Sequence, residues 1–435
     1  MAETTLAVLM IVALLGLLAL GVWIGLALMG VGFIAMALYT SRPVGDALAT
    51  TVWSHSALWG LASLPLFIWM GEILFRSRLS QGLFNGLSPL MRHLPGGLIH
   101  VNIVGCATFA AISGSSAATL ATIGKITVPE LKKRGYPDKM AYGTLAGAST
   151  LGLLIPPSII MIVYGVTAQE SITRLFMAGI FPGLMLAVLF MGYIIVWGLL
   201  NSEGRAMRET RASWTERGQG ILKLAPVVGL ILIVIGSIYA GIASPTEAAV
   251  LGVLGALLLS TLERSLSWQS FVDGLMGATK TTAMIMLLVA GSAFLTLAMG
   301  FTGLPRALAE WIGGMGLSPW MLIAALTVFY VVLGFFLDGI SSIVLTMAVV
   351  EPLVRGAGID MIWFGIFVVL VAEMAMITPP VGFNLFLVQS MTGRDLGFIA
   401  RSALPMFLLM VVGVVLLTLF PQLALWLPEY LTSKG

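Results

Sequence analysis

"LGLLIPPSIIMIVYG", Leu151 to Gly165, is apolar enough to lie in a lipid bilayer, yet Pro156 and Pro157 stand together in its middle. Two prolines in a row remove two N–H donors and free the carbonyls of the preceding turn, around Gly152 to Ile155. Unwound backbone survives at membrane depth only where it is buried in protein or lines a cavity. The same device returns in "MITPPVGFN", Met376 to Asn384, where the freed carbonyls lie around Ala375 to Thr378. Pro129, Pro156, Pro157 and Pro182 are matched by Pro352, Pro379, Pro380 and Pro405, all displaced by 223 residues, and Gly135 by Gly358. The chain therefore reads as two copies of one unit, 53–198 and 278–425.

The surrounding composition sets the class. The 435 residues are 59% hydrophobic and 9% charged, with a mean hydropathy of +1.05, against roughly a quarter charged in soluble domains. Stretches of about 20 apolar residues, enough to cross a hydrocarbon core, recur throughout. Spans are expected at 5–22, 25–40, 57–75, 139–166, 175–200, 221–241, 246–262, 281–300, 361–391 and 402–426, with special segments at 97–128 and 320–354. The first 40 residues have no basic start before their apolar run, so they read as an uncleaved helix pair rather than a signal peptide. If the special segments enter and leave by one face, one side of the membrane holds 16 of the 22 Lys and Arg. That side is then cytoplasmic and both termini face outward. Five crossings separate corresponding points of the two copies, so the second is inverted relative to the first, as in secondary transporters. Residues 1–52 and the connecting region 199–277 supply further scaffold helices, and 426–435 form a tail. The fold class expected is an all-α polytopic membrane protein, with two re-entrant hairpins and two Pro-Pro-broken helices.

Each copy runs through a span, an amphipathic stretch, a small-polar segment, a broken span and a last span. The amphipathic stretches, "LSQGLFNGLSPLMRHLPGG" and "LPRALAEWIGGMGLSP", fit either interfacial arms or plain surface connectors. "GCATFAAISGSSAATLATIG" (105–124) centres on Ser113, Gly114, Ser115 and Ser116, and "LDGISSIVLTMAVVEP" (337–352) opens on Asp338, Gly339, Ser341 and Ser342. Small residues permit a tight turn near mid-membrane. They equally serve close helix packing, but recurrence about 40 residues before each double proline favours hairpin tips. Freed carbonyls beside serine hydroxyls make a hard-oxygen site suited to Na⁺. Each copy thus offers one site, built from its tip and its broken span. Among the acids in or near membrane segments, Asp338, Glu351 and Glu373, Asp338 reads as a loop-fixing acceptor or a direct ligand. Glu373 reads as holding the broken helix by hydrogen bonds. "SPTE", Ser244 to Glu247, reads as a capping box.

Several chemistries are excluded. There is no phosphate-binding GxxxxGK[ST] loop, hence no ATPase in this chain. The three histidines, His55, His93 and His100, and the single Cys106 form no metal-ligand cluster, allow no internal disulfide and leave Ser115 and Ser116 without an activating base. The charge of +3 and pI near 9.0 follow from loop bias rather than from a nucleic-acid partner.

"ISGSSAATLATIG", "STLGLLIPPSIIMIVYG", "YAGIASPTEAA" and "AEMAMITPPVGFNLFLVQ" together resemble the large membrane subunit, DctM type, of tripartite ATP-independent periplasmic (TRAP) transporters. The resemblance covers nearly the whole chain. It implies Na⁺-driven uptake of organic acid anions across the bacterial inner membrane by an elevator motion, with no cofactor. It also implies a periplasmic substrate-binding protein and a small four-helix membrane subunit, here expected as a separate chain. By the resemblance, one Na⁺ site maps to Ser113, Gly114, Ser115, Ser116, Ile155 and Pro156. The other maps to Gly339, Ser341, Ser342, Thr378, Pro379, Pro380, Val381 and Gly382. Substrate would sit between the tips, at Ser115, Ser116, Asp338, Ser341 and Asn384. The rival readings are a stand-alone cation-coupled dicarboxylate or ion transporter of the same architecture and, more remotely, a structural membrane protein.

Overall fold

The computed structural model describes residues 2–432 apart from 78, 208–209, 304–306, 308–313, 315–317 and 381. The regular elements among them are all helical. Helices α1 (Ala2–Ala19), α2 (Ile24–Tyr39), α3 (Val44–Ser56) and α4 (Ser63–Arg76) come first, with a 3₁₀ turn at Trp59–Ala62 before α4. Then come α5 (Leu79–Met91), α6 (His100–Ser113), α7 (Ser116–Lys133), α8 (Asp138–Ser149), the single turn α9 (Leu151–Leu154) and α10 (Ile159–Thr167). The middle of the chain forms α11 (Ile172–Leu200), α12 (Ser202–Ala206), α13 (Trp214–Tyr239), α14 (Pro245–Leu262) and α15 (Trp268–Thr302). The last elements are α16 (Pro319–Leu333), α17 (Gly339–Gly356), α18 (Met361–Met376), α19 (Phe383–Thr392), α20 (Leu396–Leu419) and α21 (Gln422–Thr432).

Six described helices, α11, α13, α14, α15, α17 and α20, are individually long and apolar enough to cross a bilayer. Two bent pairs join them as composite spans: Val44–Ser56 with Trp59–Arg76, bent by 56°, and Asp138–Leu154 with Ile159–Thr167, bent by 42°. The ten spans expected from hydropathy include two broken ones, 139–166 and 361–391, and the helices do stop at both double prolines, after Leu154 and after Met376. Helix α18 has 16 residues, about 24 Å at 1.5 Å per residue, because the double proline stops it at Met376. Helix α3 lies where hydropathy leaves a loop, its polar Thr50, Thr51, Ser54 and His55 hiding it from an apolar-window reading. Helix α15 starts at Trp268, well before the expected 281, capped by Ser267 with Ser270. The capping box read from "SPTE" is present, Ser244 with Glu247 and Pro245 in the first turn. The first amphipathic stretch forms α5, packed on α13; the second falls largely outside the described residues.

Packing divides into two sets. In one, α2, α3 and α4 lie on α15, α14 lies on α4, and α13 on α5 and α14. In the other, α6, α7 and α8 pack together, with α20 against α8, α19 against α7 and α18 against α17 and α11. Outward faces expose Leu232, Leu258 and Val415, a surface matched to acyl chains rather than water. Inside, small residues let backbones approach, as expected where lipid supplies no hydrophobic drive between helices. A methyl group added at Gly25 would lie 2.6 Å from the Leu287 carbonyl oxygen, and one at Gly291 would press on the Gly25 backbone.

Gly291→Ala is therefore expected to destabilise the α2–α15 contact by about 1–3 kcal/mol. The melting temperature in detergent should fall clearly below that of Gly300→Ala, in the same helix, whose added methyl meets nothing within 4 Å. Equal melting temperatures for the two variants would contradict this packing.

Candidate functional site

The first small-polar segment forms a sharp turn between α6 and α7. Gly114 adopts φ +56°, the left-handed region that glycine enters freely. Ser115 is extended and caps α7, its Oγ accepting from the Ala118 N–H at 3.4 Å. Ser113 Oγ lies 2.8 Å from Thr119 Oγ1 and donates to the Ser115 carbonyl at 3.3 Å.

The first double proline divides α8 and α9 from α10, with a cis Pro156–Pro157 bond. Ser158 supplies one missing donor and caps the next helix. Its Oγ donates to the Leu153 carbonyl at 2.5 Å and accepts from the Met161 N–H at 3.4 Å, capping α10. Tip and break then meet: the Ile159 N–H donates to the Gly114 carbonyl at 3.3 Å. A methyl group on Gly114 would lie 2.7 Å from the Pro157 carbonyl oxygen, and one on Gly152 would lie 2.7 Å from that of Ser115. The first group expected from sequence, Ser113 to Ser116 beside the Ile155–Pro156 break, is thus brought together.

The second group is looser. Asp338 caps α17, its Oδ2 accepting from the N–H groups of Ile340 at 3.1 Å and Ser341 at 3.4 Å, which is the loop-fixing role. Gly339 sits against Ile160 and Ala372, and Gly334 against Ala375, so this tip touches α18 within two turns before Thr378. Ser341 and Ser342 are buried, and Ser342 Oγ has no partner among the described residues. At the second break, with its cis Pro379–Pro380 bond, Thr378 Oγ1 donates to the Met374 carbonyl at 2.6 Å and its N–H to Ala375 at 3.1 Å. The Gly382 N–H returns to the Thr378 carbonyl at 3.0 Å. Carbonyls expected to be free are thus partly engaged by neighbouring Ser and Thr, leaving each its second lone pair. Val381 lies outside the described residues.

Asn384 belongs with the first tip. It is fully buried and donates from Nδ2 to Ser116 Oγ at 2.8 Å and to Ser149 Oγ at 3.1 Å. Glu373, also buried, faces the Ser116 side chain and the Leu153 backbone, but neither carboxyl oxygen has a hydrogen-bond partner among the described residues. It does not hold the broken helix by hydrogen bonds, as the sequence suggests: helix packing brings it near these groups without bonding geometry. Ser115 and Ser116, adjacent in sequence, face apart. Ser113 and Ser115 line a cavity of about 340 Å³ with Glu72, Thr281, Ile159 and Phe383, whereas Ser116 is 1% exposed. A second cavity of about 730 Å³, bounded by Phe75, Arg76, Ser77, Lys125 and Glu130, shares Phe75 with the first. Sequence reading missed Ser149, which nothing in its local pattern marks. The capping role of Ser158 was legible as a serine directly after the prolines and before an apolar helix.

The arrangement has relatives. The family described as "Tripartite ATP-independent periplasmic transporter, DctM component" matches residues 11–423. The C4-dicarboxylate TRAP transporter large permease protein DctM of Pseudomonas aeruginosa is 32% identical, over 88% of this chain and 90% of its own length. The ectoine/5-hydroxyectoine TRAP transporter large permease protein UehC of Ruegeria pomeroyi is 34% identical, over 86% and 87%. Among solved structures, the Alcanivorax borkumensis YdaH transporter aligns with a TM-score of 0.63 over 93% of this chain and 98% of its own, at 14% identity. That last likeness is one of fold alone.

The opposed facing of Ser115 and Ser116 can be read by thiol labelling, since Cys106, the only cysteine, is itself buried. With a Cys106→Ala background, Ser115→Cys should react with a small polar thiol reagent at least about tenfold faster than Ser116→Cys, because access controls thiol reactivity. Comparable rates would mean that the tip does not open on the cavity.

Proposed function

The chain belongs to the DctM family of TRAP transporters and is a membrane permease subunit rather than an enzyme, and from that premise we propose how it works. It imports an organic acid anion across the bacterial inner membrane, coupled to Na⁺, after delivery by a periplasmic binding protein and alongside a small membrane subunit. The relatives' C4-dicarboxylate and ectoine substrates support a small, charged, carboxylate-bearing molecule as the class.

The α6–α7 and α16–α17 segments act as two oppositely facing re-entrant hairpins, and α8–α10 and α18–α19 as the two broken helices, in copies 53–198 and 278–425. Together they form the moving body of an elevator. Helices α2–α4 and α13–α15 form the fixed scaffold, with both chain termini periplasmic. Na⁺ binds at each tip and break, through Ser113, Ser115 and the backbone around Ile155 on one side, and through Ser341, Ser342, Thr378 and neighbouring carbonyls on the other. Hydroxyls, carbonyls and the positive ends of α7, α10, α17 and α19 then meet the anion. Sodium adds positive charge and orders the tips before the anion arrives, which couples the two cargoes.

The observation that carries this reading is the docking of the Gly114 turn onto the Pro156–Pro157 break, beside a serine that opens on a cavity. In proteoliposomes, uptake should require both an inward Na⁺ gradient and the cognate binding protein. Ser115→Ala and Thr378→Ala should each lower uptake at limiting Na⁺ by about tenfold or more, equivalent to roughly 1.4 kcal/mol of lost ion binding, with expression retained. Uptake without any binding protein would instead favour the stand-alone transporter, and unchanged Na⁺ dependence in both variants would refute the ion-site assignment.

A further inference from the structure

Glu373 is not used by the mechanism above, and its surroundings are unusual. It sits in the second half of the chain on α18, 1% exposed, and neither carboxyl oxygen makes a hydrogen bond of ordinary geometry with any described group. The groups that act on it are the Ser116 hydroxyl and the Leu153 backbone, both from the first half, and no Lys, Arg or His is among them. Asn384 reaches the same place. Its two amide hydrogens go to Ser116 Oγ and Ser149 Oγ, while its buried Oδ1 has no partner.

A count of donors and acceptors shows the imbalance. Ser149 already donates to the Ala146 carbonyl at 2.8 Å, and Ser158 to Leu153. The Leu153 N–H is directed at Thr150, at 3.4 Å. Of the side chains named here, the Ser116 hydroxyl is then the donor left for three oxygens that have no partner among the described residues, two of Glu373 and one of Asn384. A carboxylate buried without a compensating positive charge costs several kcal/mol. Converging hard oxygens with no cationic side chain are what a small alkali cation requires.

We infer that Glu373, Asn384 Oδ1 and Ser116 Oγ form an additional monovalent-cation site, buried where the two halves of the chain cross. It is separate from the ion site at Ser113 and Ser115. Those two side chains line the cavity, whereas Ser116 turns into the interior, where Asn384 meets it. The site offers a buried carboxyl group and ligands from both halves, so an ion there fastens α7 to α18 and α19. The inference rests on the Na⁺-coupled reading of the preceding subsection.

The test is equilibrium binding of ²²Na⁺ to the purified full-length chain at neutral pH, with choline as the balancing cation. Glu373→Gln should bind one Na⁺ fewer than wild type, and Ser115→Ala/Glu373→Gln, at a Na⁺ concentration that fills the wild-type sites but lies well below the weakened affinity of the Ser115→Ala site, should bind two fewer. If Glu373→Gln cannot be purified, Glu373→Asp keeps the charge but withdraws it by one methylene. It should raise the Na⁺ concentration that half-fills one site by at least about tenfold, or 1.4 kcal/mol. An unchanged Na⁺ count in Glu373→Gln, as for a carboxyl that carries a proton, overturns the site, as does an unchanged isotherm for Glu373→Asp. A loss of only one Na⁺ in the double variant shows that the site is not separate and overturns it too. Ser115→Ala and Thr378→Ala report independently on the tip sites: full Na⁺ binding in both defeats the coupling scheme itself, whatever Glu373 does.

Discussion

Every backbone polar group at membrane depth must find its partner inside the protein, and this chain breaks its own helices at two places where that is hardest. The rest of the structure depends on how those breaks are closed. At the first, Pro156 and Pro157 withdraw donors, Ser158 returns one to the Leu153 carbonyl, and the Gly114 turn accepts from Ile159. At the second, Thr378 and Gly382 close the turn within their own segment. The first break is therefore tied to a turn distant in sequence, and the second mainly to itself.

That asymmetry sets where the halves cross. Asn384, six residues after the start of "TPPVGFN", does not serve its own tip but reaches Ser116 and Ser149 in the first half. Glu373 faces the Ser116 hydroxyl and the Leu153 backbone from α18, without a hydrogen bond of ordinary geometry. Asn384 thereby joins α19 by polar contacts to α7 and α8, with apolar packing around them. Outside it, at the membrane edge, Arg394 pairs with Asp138, linking α8 to the turn after α19. The close backbone approach of Gly25 and Gly291 between α2 and α15 belongs to the other packing set.

Much of this was legible in the residues. Hydropathy gave the class, and "SGSS" and "IPPS" pointed to the turn at Gly114 and the helix break that it meets. Asp338 as a loop-fixing cap and Ser244 with Glu247 as a capping box were readable because caps are local, set by three or four adjacent residues. What escaped was of two kinds. Helix α3 escaped because its polar face dilutes the apolar signal, and the early start of α15 because apolarity does not say where a helix begins. The partner of Asn384 escaped because nothing in "GFNLF" points to "GSS", 268 residues earlier.

The sequence by itself determined what must be buried, where helices must break, and which small and hydroxylic residues stand next to the breaks, since these follow from side-chain chemistry and proline's missing donor. Only the tertiary structure decided which tip serves which break, that Ser115 opens on a cavity while Ser116 turns inward, and that Glu373 and Asn384 meet across the two halves. The reason is physical: hydrogen bonds and ion ligands act over about 3 Å in space, and distance in space between residues hundreds of positions apart is set by helix packing alone.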